Sequence, residues 1–461
     1  MLKVNLGDTI AAIATPVGSG GIGIVRLSGE MAIDIASQLF VPNRGKGLRE
    51  RKSHTISYGK IMYKGQECDE VLVSLMRAPN TYTREDVVEI NCHGGIRAVT
   101  AVLDAVLKSG ARQAEPGEFT KRAFLNGRID LTQAEAVVDI INASTDSSRQ
   151  EALKRLDGRL CKKIKAMREK ILLMLANIEA AISYPEHDDE TMTYDTIAKG
   201  TKELKQEIEE LISGADIGRI YNEGIKTVIL GRPNVGKSSL LNAVIDEERA
   251  IVTDIPGTTR DVLEEFINVG GIPLKLVDTA GIRNTDNVIE KIGVEKSRRF
   301  AQEADLVLLM LDGSRDISDE DRELIELSKG KKRIVLVNKL DLEQAVTLGE
   351  IKELTGCEPV AISVKTDEGI EQLYDKIKEM FFAGSLNSDS EVLISRERNK
   401  NSLYKADDFL SNVLETVESR MPEDFVSMDL TQAYEALGEI TGEALEEDII
   451  DKIFSEFCLG K

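Results

Sequence analysis

Long apolar runs are absent from this 461-residue sequence: no stretch reaches about 18 apolar residues, the length that a membrane-spanning helix needs. Residues 1–8 also lack the apolar core of a signal peptide. The five cysteines are scattered, form no Cys-x-x-Cys pair and are odd in number, which argues against a disulfide framework. We therefore expect a soluble, cytoplasmic protein with reduced thiols and no membrane partner.

Histidine is scarce as well. His54, His93 and His187 are too few and too far apart for a metal site of their own, and His93 is best explained as a turn residue at a strand end. Residues 18–23 match the pattern Gly-x-Gly-x-x-Gly, but the β-type run Ile24–Leu27 follows them where a dinucleotide site needs a helix. A backbone turn is the better interpretation.

Acidic residues outnumber basic ones by 80 to 59, and the net charge of −21 disfavours a nucleic-acid partner. One stretch has the opposite sign: residues 151–170 contain eight basic and three acidic side chains. A solvated helix face is the ordinary explanation. A surface for RNA phosphates or for an acidic partner is the alternative.

A phosphate loop is the most informative motif. Residues Gly231–Ser238 lie between a β-type run, Ile225–Leu230, and a helical run, Ser239–Ile245. In such a loop the backbone NH groups and the helix N-terminus bind phosphate. We expect Lys237 to reach the β- and γ-phosphates and the Ser238 hydroxyl to bind Mg²⁺. The predicted nucleotide contacts here are Asn234, Val235, Gly236, Lys237, Ser238 and Ser239.

Further motifs indicate a GTPase. Asp278–Gly281 follows the apolar run Leu274–Val277, which puts a carboxylate near the metal and the Gly281 NH near the γ-phosphate. Thr258 and Thr259 are candidate switch threonines. The predicted contacts in these two segments are Thr258, Thr259, Asp278, Thr279, Ala280 and Gly281.

The base specificity comes from Asn338-Lys339-Leu-Asp341, which follows the apolar run Arg333–Val337. Asp341 can accept from the ring NH and the exocyclic amine of guanine, whereas adenine offers no such pair and would leave the carboxylate unpaired. The segment Ala361–Lys365 then closes over the base through Ser363, Val364 and Lys365. GTP is therefore favoured over ATP.

The catalytic position departs from the Ras-like pattern, because Ile282 stands where a water-orienting glutamine is usual. Asp286 and Glu290 are acidic alternatives between which the residues alone do not choose. Asn234 offers an amide oxygen beside the phosphates that suits either a monovalent cation or a loop-stabilising hydrogen bond.

The patterning predicts a multi-domain α/β and α protein. A small α/β or α+β domain comes first, nearly everything from about 130 to 219 is helical, and a Ras-like α/β domain is inserted before a last helical stretch. In the first domain the predicted strands are Thr9–Thr15, Gly23–Leu27, Glu70–Leu75 and Asp86–Asn91, and a helix is predicted at Ile96–Lys108. We expect the boundaries to be an N-terminal domain at 1–121, a helical domain in two parts at 122–222 and 383–461, and the GTPase domain at 223–382.

Four blocks carry a resemblance that spans the chain: Asp8–Gly29, Pro116–Arg128, the GTPase motifs and the terminal Cys458–Lys461. Together they resemble the bacterial tRNA-modification GTPase family MnmE, also called TrmE. The resemblance implies work with the FAD-carrying flavoprotein MnmG in a hetero-oligomer. The implied reaction adds an aminomethyl or carboxymethylaminomethyl group to carbon 5 of a tRNA wobble uridine, with methylene-tetrahydrofolate as one-carbon donor and hydrolysis of GTP to GDP.

Site roles follow from the same resemblance. The N-terminal domain is implied to form a homodimer and to bind 5,10-methylene-tetrahydrofolate, or 5-formyl-tetrahydrofolate as an analogue. The implied folate residues are Arg26, Glu85, Lys461 and Arg128, the last standing where a lysine is expected. Cys458 is a candidate nucleophile, or a tail cysteine without a role.

The resemblance also implies a K⁺ site and a Mg²⁺ site in the GTPase domain. K⁺ would bind Asn234, Thr253, Thr258 and the backbone carbonyl of Ile255, while Mg²⁺ would bind Ser238 and Thr259. Asp254, Pro256 and Gly257 are implied nucleotide contacts of the same segment. K⁺ would join two GTPase domains and supply the charge of an arginine finger. Glu290 is the implied catalytic carboxylate, and Asp286 becomes the weaker candidate.

Two other classes of function remain. A ribosome-assembly or regulatory switch GTPase explains the nucleotide motifs but leaves the N-terminal blocks and Cys458–Lys461 without a role. A folate-binding module with a vestigial nucleotide fold is hard to reconcile with a complete set of GTPase motifs.

Overall fold

The computed structural model describes residues 7–183, 190–247, 265–276, 300–382 and 393–461. The chain divides into two compact units. The first contains Met1–Val138, Cys161–Arg168 and Glu435–Lys461, and the second contains Asp139–Leu160 and Glu169–Tyr434. Within the described residues, no helix is both long enough and apolar enough to cross a membrane.

A seven-stranded sheet forms the first unit, with the strand order β3-β4-β5-β6-β2-β1-β7. All neighbours are antiparallel except β1 and β7. The strands are β1 Ile10–Ile13, β2 Ile22–Ser28, β3 Phe40–Pro42, β4 Thr55–Tyr63, β5 Gln66–Met76, β6 Val87–His93 and β7 Arg112–Gln113. The prediction that a strand follows residues 18–23 is thus confirmed by β2.

Alternation along the strands gives this sheet two different faces. Val71, Val73 and Leu75 of β5 are buried, in one cluster with apolar residues of the helices Ala32–Leu39 and Ile96–Lys108. The other face shows exposed apolar side chains, Ile56 and Tyr58 of β4 and Leu72 of β5. The helices Glu118–Leu125 and Glu447–Ser455 also belong to this unit, and the helix Leu131–Asn142 begins in it.

The second unit combines helices with a six-stranded sheet. Its sheet has the order β13-β12-β11-β8-β10-β9 and is parallel except for the β9–β10 hairpin. The strands are β8 Ile225–Leu230, β9 Glu265–Val269, β10 Ile272–Leu276, β11 Leu306–Asp312, β12 Arg333–Asn338 and β13 Val360–Ala361. Helices associated with it are Lys237–Glu247, Asp319–Leu327, Leu348–Thr355 and Ile370–Phe382.

Apolar clusters lie on both faces of this sheet, as expected when crossover helices cover a parallel sheet. The described residues between 131 and 223 are helical almost throughout, as predicted for about 130 to 219, with helices at Asp146–Leu156, Arg159–Ser183, Glu190–Ser213 and Ala215–Glu223. The last helical stretch adds Glu397–Glu418 and Glu423–Thr441. The multi-domain α/β prediction is confirmed, and the boundaries at 121, 222 and 382 stay a prediction.

Candidate nucleotide-binding site

The phosphate loop and the base-binding segments meet at the carboxyl edge of the parallel strands, where α/β sheets bind ligands. Asn338, the last residue of β12, joins them. Its Nδ2 donates to the Val235 carbonyl at 2.8 Å, and its Oδ1 accepts from the Val364 backbone NH at 3.2 Å. One amide side chain therefore sets the distance between the phosphate loop and the segment that closes over the base.

The conformation of the phosphate loop explains its glycines. Asn234 has φ +62° and Gly236 has φ +110°, so both lie in the left-handed region. A Cβ atom on Gly236 would lie 2.3 Å from Asn338 Nδ2. Position 236 therefore accepts only glycine while Asn338 holds the loop.

Lys237 begins the helix that follows the loop. Its Nζ donates to the carbonyls of Gly231 at 2.6 Å and Arg232 at 2.8 Å. Burial lowers the pKa of this ammonium. Because burial penalises the charged form, an anionic partner such as phosphate suits this position. The residues present thus fit a nucleotide phosphate, and Ser238 follows at the start of the same helix.

Asp341 and Ser363 form the base end of the site. The Ser363 hydroxyl donates to Asp341 Oδ1 at 2.9 Å, and Lys365 Nζ lies 3.9 Å from Asp341 Oδ2. The Asp341 side chain is only 19% exposed. A carboxylate fixed in this way presents lone pairs in a defined direction, as recognition of the two adjacent NH donors of guanine requires.

Asp312 is a site residue that sequence reasoning missed. It ends β11, and its Oδ2 accepts from Lys339 Nζ at 2.7 Å while its Oδ1 accepts from the Ser314 hydroxyl, also at 2.7 Å. Burial by itself raises the pKa of Asp312, but these hydrogen bonds outweigh it and the pKa is lowered. A carboxylate at the end of a wholly apolar strand is the signal that would have revealed it.

Part of the predicted site lies outside the described residues. This applies to Thr253, Asp254, Ile255, Pro256, Gly257, Thr258, Thr259, Asp278, Thr279, Ala280, Gly281 and Glu290, and also to Asp286. Their roles stay predictions. In the described part of the chain, no group of three His, Cys, Asp or Glu side chains could hold a metal ion.

The predicted folate residues lie in the first unit, around the helix Glu118–Leu125. Arg26 NH1 donates to the Gly460 carbonyl at 3.3 Å, and its guanidinium lies 5.6 Å from the Phe119 ring centroid. The Phe119 NH donates to the Lys461 carbonyl at 3.2 Å. Burial, and then the nearby Arg26, lower the pKa of the Lys461 side chain. Two close cations of this kind fit an anionic ligand.

Glu85 contacts the helix Glu118–Leu125 directly, and Arg128 contacts Tyr82, which in turn contacts that helix. The Glu85 carboxylate accepts from the Ser28 hydroxyl at 2.7 Å and from Arg122 NH1 at 3.2 Å. The guanidinium of Arg128 lies 4.7 Å from the ring centroid of Tyr82, whose hydroxyl lies 3.0 Å from Thr120 Oγ1.

The structure also places the remaining predicted residues. All five cysteines have free thiols, and Cys458 is exposed, with its carbonyl accepting from the Gly117 NH at 3.3 Å. His93 ends β6 as predicted, and its Nδ1 lies 2.7 Å from Asp69 Oδ1. That hydrogen bond raises the pKa of His93.

At least five of the eight cations in the basic stretch at 151–170 pair with carboxylates. Arg155 is buried and pairs with buried Asp139 at 2.6 Å. Arg168 is buried as well and pairs with Glu443. Three further pairs are Lys154 with Glu151, Lys165 with Glu443 and Lys170 with Glu207. The buried cations Arg155 and Arg168 therefore have a structural role.

The fold and the site define a nucleotide-binding protein of the phosphate-loop class. Two families match the chain: "GTP-binding protein TrmE N-terminus" over residues 9–128 and "MnmE helical domain" over residues 131–458. The tRNA modification GTPase MnmE of Bacillus licheniformis is 52% identical over 458 residues, which cover 98% of this chain and 100% of the relative. The protein of that name from Clostridioides difficile is 51% identical over 457 residues, covering 99% and 100%. The chain belongs to the MnmE family of tRNA modification GTPases.

Proposed function

We propose that this protein binds GTP, hydrolyses it to GDP and phosphate, and acts in the modification of tRNA. The observation that carries the proposal is the bridge made by Asn338 between Val235 of the phosphate loop and Val364 of the base segment. The Asp341 carboxylate, held by Ser363, supports guanine as the base. The names of the relatives support tRNA as the substrate.

The proposed reaction is the addition of an aminomethyl or carboxymethylaminomethyl group to carbon 5 of the wobble uridine, together with MnmG. When bound, methylene-tetrahydrofolate would supply the one-carbon unit. Arg26 and Lys461 suit the carboxylates of its glutamate tail, because burial of Lys461 beside a second cation favours an anion there. Glu85 suits the NH donors of the pterin ring, since Ser28 and Arg122 fix its carboxylate.

In the GTPase domain, we propose that Ser238 and Thr259 hold Mg²⁺ and that Asn234, Thr253, Thr258 and the Ile255 carbonyl hold K⁺. K⁺ would supply positive charge beside the phosphates. Glu290 would orient the attacking water. The left-handed conformation of Asn234, with φ +62°, supports a specialised role for this loop position.

We propose a homodimer through the N-terminal domain, with residues 1–121, 122–222, 223–382 and 383–461 as the domain division and the cytoplasm as location. The exposed apolar side chains Ile56, Tyr58 and Leu72 on one sheet face support a partner surface there. Cys458 is a candidate nucleophile because it is exposed, has a free thiol and lies three residues before Lys461.

GTP turnover in K⁺ and in Na⁺ at equal ionic strength tests the GTPase mechanism. We expect strong stimulation by K⁺, loss of that stimulation in Asn234→Ala, and collapse of turnover in Glu290→Ala. Equal rates in both cations would remove the K⁺ site and favour the alternative, a ribosome-assembly or regulatory switch GTPase.

Binding of 5-formyl-tetrahydrofolate, followed by calorimetry, tests the folate site independently of turnover. We expect Lys461→Ala to weaken binding at least tenfold, with Lys452→Ala, an exposed lysine on the preceding helix, as the matched control. Because the pKa of Lys461 is lowered in the free protein, an anion should bind with proton uptake, so affinity should fall as the pH rises through that pKa. Binding without proton uptake at alkaline pH would contradict the role of Lys461.

A further inference from the structure

The loop between β3 and β4 carries an unusual density of positive charge. Residues 43–54 contain a single turn of 3₁₀ helix at Leu48–Glu50, and Arg77 follows β5 beside them. We name residues 43–54 together with Arg77 the basic loop. Its cations are Arg44, Lys46, Arg49, Arg51, Lys52 and Arg77.

Two of these guanidinium groups hold the loop in shape through neutral acceptors. Arg77 NH2 donates to the Arg49 carbonyl at 3.0 Å, and the Arg77 backbone NH donates to the Ser53 hydroxyl at 2.9 Å. Arg51 Nε donates to the Lys46 carbonyl at 3.1 Å, and its NH2 donates to the Arg44 carbonyl at 3.4 Å. Since carbonyl groups carry no net charge, these bonds order the loop without cancelling its positive charge.

Carboxylates offset only part of this charge. Asp34 pairs with Arg49 at 2.7 Å, and Glu50 pairs with Lys46 at 3.3 Å. All four side chains are more than a third exposed, so water and salt weaken both pairs. Arg44 and Lys52 are exposed. The basic loop is therefore a cationic surface on a strongly acidic protein.

This contrast limits where an RNA backbone can approach. A net charge of −21 repels polyphosphate over most of the molecule. In the other basic stretch, residues 151–170, at least five of the eight cations pair with carboxylates, and Arg155 and Arg168 are buried away from any ligand. Resting on the proposed role in tRNA modification, we propose that the basic loop is the surface of this chain that contacts the phosphates of tRNA.

The salt dependence of binding identifies phosphate contacts. Each phosphate that a lysine or arginine neutralises releases counterions, so removing one such cation changes the slope of log K against log salt by roughly one. Charge reversal of the exposed side chains Arg44 and Lys52 should therefore change the salt dependence of tRNA binding without disturbing the bonds that order the loop.

The experiment compares the full-length native chain with the double variant Arg44→Glu, Lys52→Glu, by fluorescence anisotropy of labelled tRNA over a range of salt. The matched control is Lys329→Glu, Lys376→Glu, which makes the same charge change at two exposed lysines of the second unit. The conservative variant Arg44→Lys, Lys52→Arg keeps the charge. Thermal unfolding of each variant, followed by circular dichroism, establishes that it is folded.

We expect the charge-reversed variant to bind tRNA at least tenfold more weakly with a slope reduced by about two, while the control and the conservative variant bind as the native chain does. Equal weakening in the control would reduce the effect to net charge and overturn the proposal. Native-like binding by the charge-reversed variant would overturn this surface alone. If the native chain binds no tRNA at low salt, the tRNA role and this surface both fail. Binding of the loop to phosphatidylserine vesicles in place of tRNA would identify a membrane contact instead.

Discussion

A single buried carboxylate, Asp312, sets the position of the lysine in the base motif. Lys339 has φ +71° and donates to Asp312 Oδ2 at 2.7 Å. We expect Asp312→Asn to weaken GDP binding about tenfold, roughly 1.5 kcal/mol, because a charged hydrogen bond becomes a neutral one and Lys339 is released. Titration of a fluorescent GDP analogue measures this change.

The control for that prediction is Ser314→Ala, which removes a neighbour of Asp312 and leaves the bond to Lys339 in place. It should bind GDP nearly as the native protein does. Native-like affinity in Asp312→Asn would mean that Lys339 needs no partner to serve the base site.

Buried charge in the first unit makes stability depend on acid. The fully buried Arg122 donates to Asp8 Oδ1 at 2.6 Å and to Glu118 Oε1 at 3.1 Å, and Arg112 donates to Glu118 Oε1 at 2.6 Å. Burial by itself raises the pKa values of Asp8 and Glu118, but the hydrogen bonds from the arginines outweigh it and both are lowered. Carboxylates of this kind stabilise the fold above their unfolded pKa values.

The contribution of Asp8 and Glu118 to the free energy of unfolding should therefore be complete above about pH 4.5, and it should be lost as the pH falls through their lowered pKa values. Glu118→Gln should cost about 3 kcal/mol at neutral pH, because it leaves buried arginine charge without its partner, and should flatten the acid dependence. Urea unfolding between pH 3 and 7 measures both effects. If the free energy of unfolding of Glu118→Gln depends on pH as that of the native protein does, other carboxylates cause the acid dependence.

At the scale of elements, apolar alternation and loop motifs identified most of the fold. The helix Ile96–Lys108 has the predicted bounds, and the strand predicted at Ile225–Leu230 is β8. β4, Thr55–Tyr63, was missed because Gly59 interrupts its pattern. Glycine within a strand often marks the close approach of another backbone. A Cβ atom at Gly59 would lie 2.3 Å from the Val41 carbonyl oxygen.

This close approach makes Gly59 essential to the pairing of β3 with β4. Gly59→Ala should destabilise the protein by about 2 kcal/mol, because the strands must move apart to admit a methyl group. Gly47→Ala is the control: its Cβ would have no neighbour within 4 Å, so its effect should stay within about 0.5 kcal/mol. Thermal unfolding compares the two, and equal melting temperatures would contradict the close contact.

Pairings distant in sequence limited what could be predicted of the site. The phosphate loop, the guanine carboxylate and Lys237 follow from local motifs, and the structure brings them together. Asn338 bonds to a residue 103 positions away, and Arg26 bonds to one 434 positions away. Only tertiary packing produces such contacts, so no local pattern predicted the bonds of Asn338 and Arg26.

At the scale of the whole molecule, residues distant in the sequence pack together in the first unit. Phe454 is 1% exposed and Phe457 is 7% exposed, and both share an apolar cluster with Ala123 and Leu131. A Cβ atom on Gly117 would lie 2.5 Å from the Phe454 carbonyl oxygen. One apolar cluster of the first unit, distinct from the cluster under the seven-stranded sheet, therefore depends on Phe454 and Phe457.

Phe454→Ala should destabilise this unit by about 4 kcal/mol, because the large cavity it leaves cannot close completely. The matched control is Phe425→Ala, since Phe425 is 46% exposed and its removal should cost less than about 1 kcal/mol. The base site lies in the other unit, so GDP affinity should survive in Phe454→Ala, while the proposed folate binding should be lost as the Gly460 and Lys461 contacts loosen. Loss of both kinds of binding together would mean that the two units unfold as one cooperative block, whereas a selective loss would show that the Phe454 cluster supports the first unit alone.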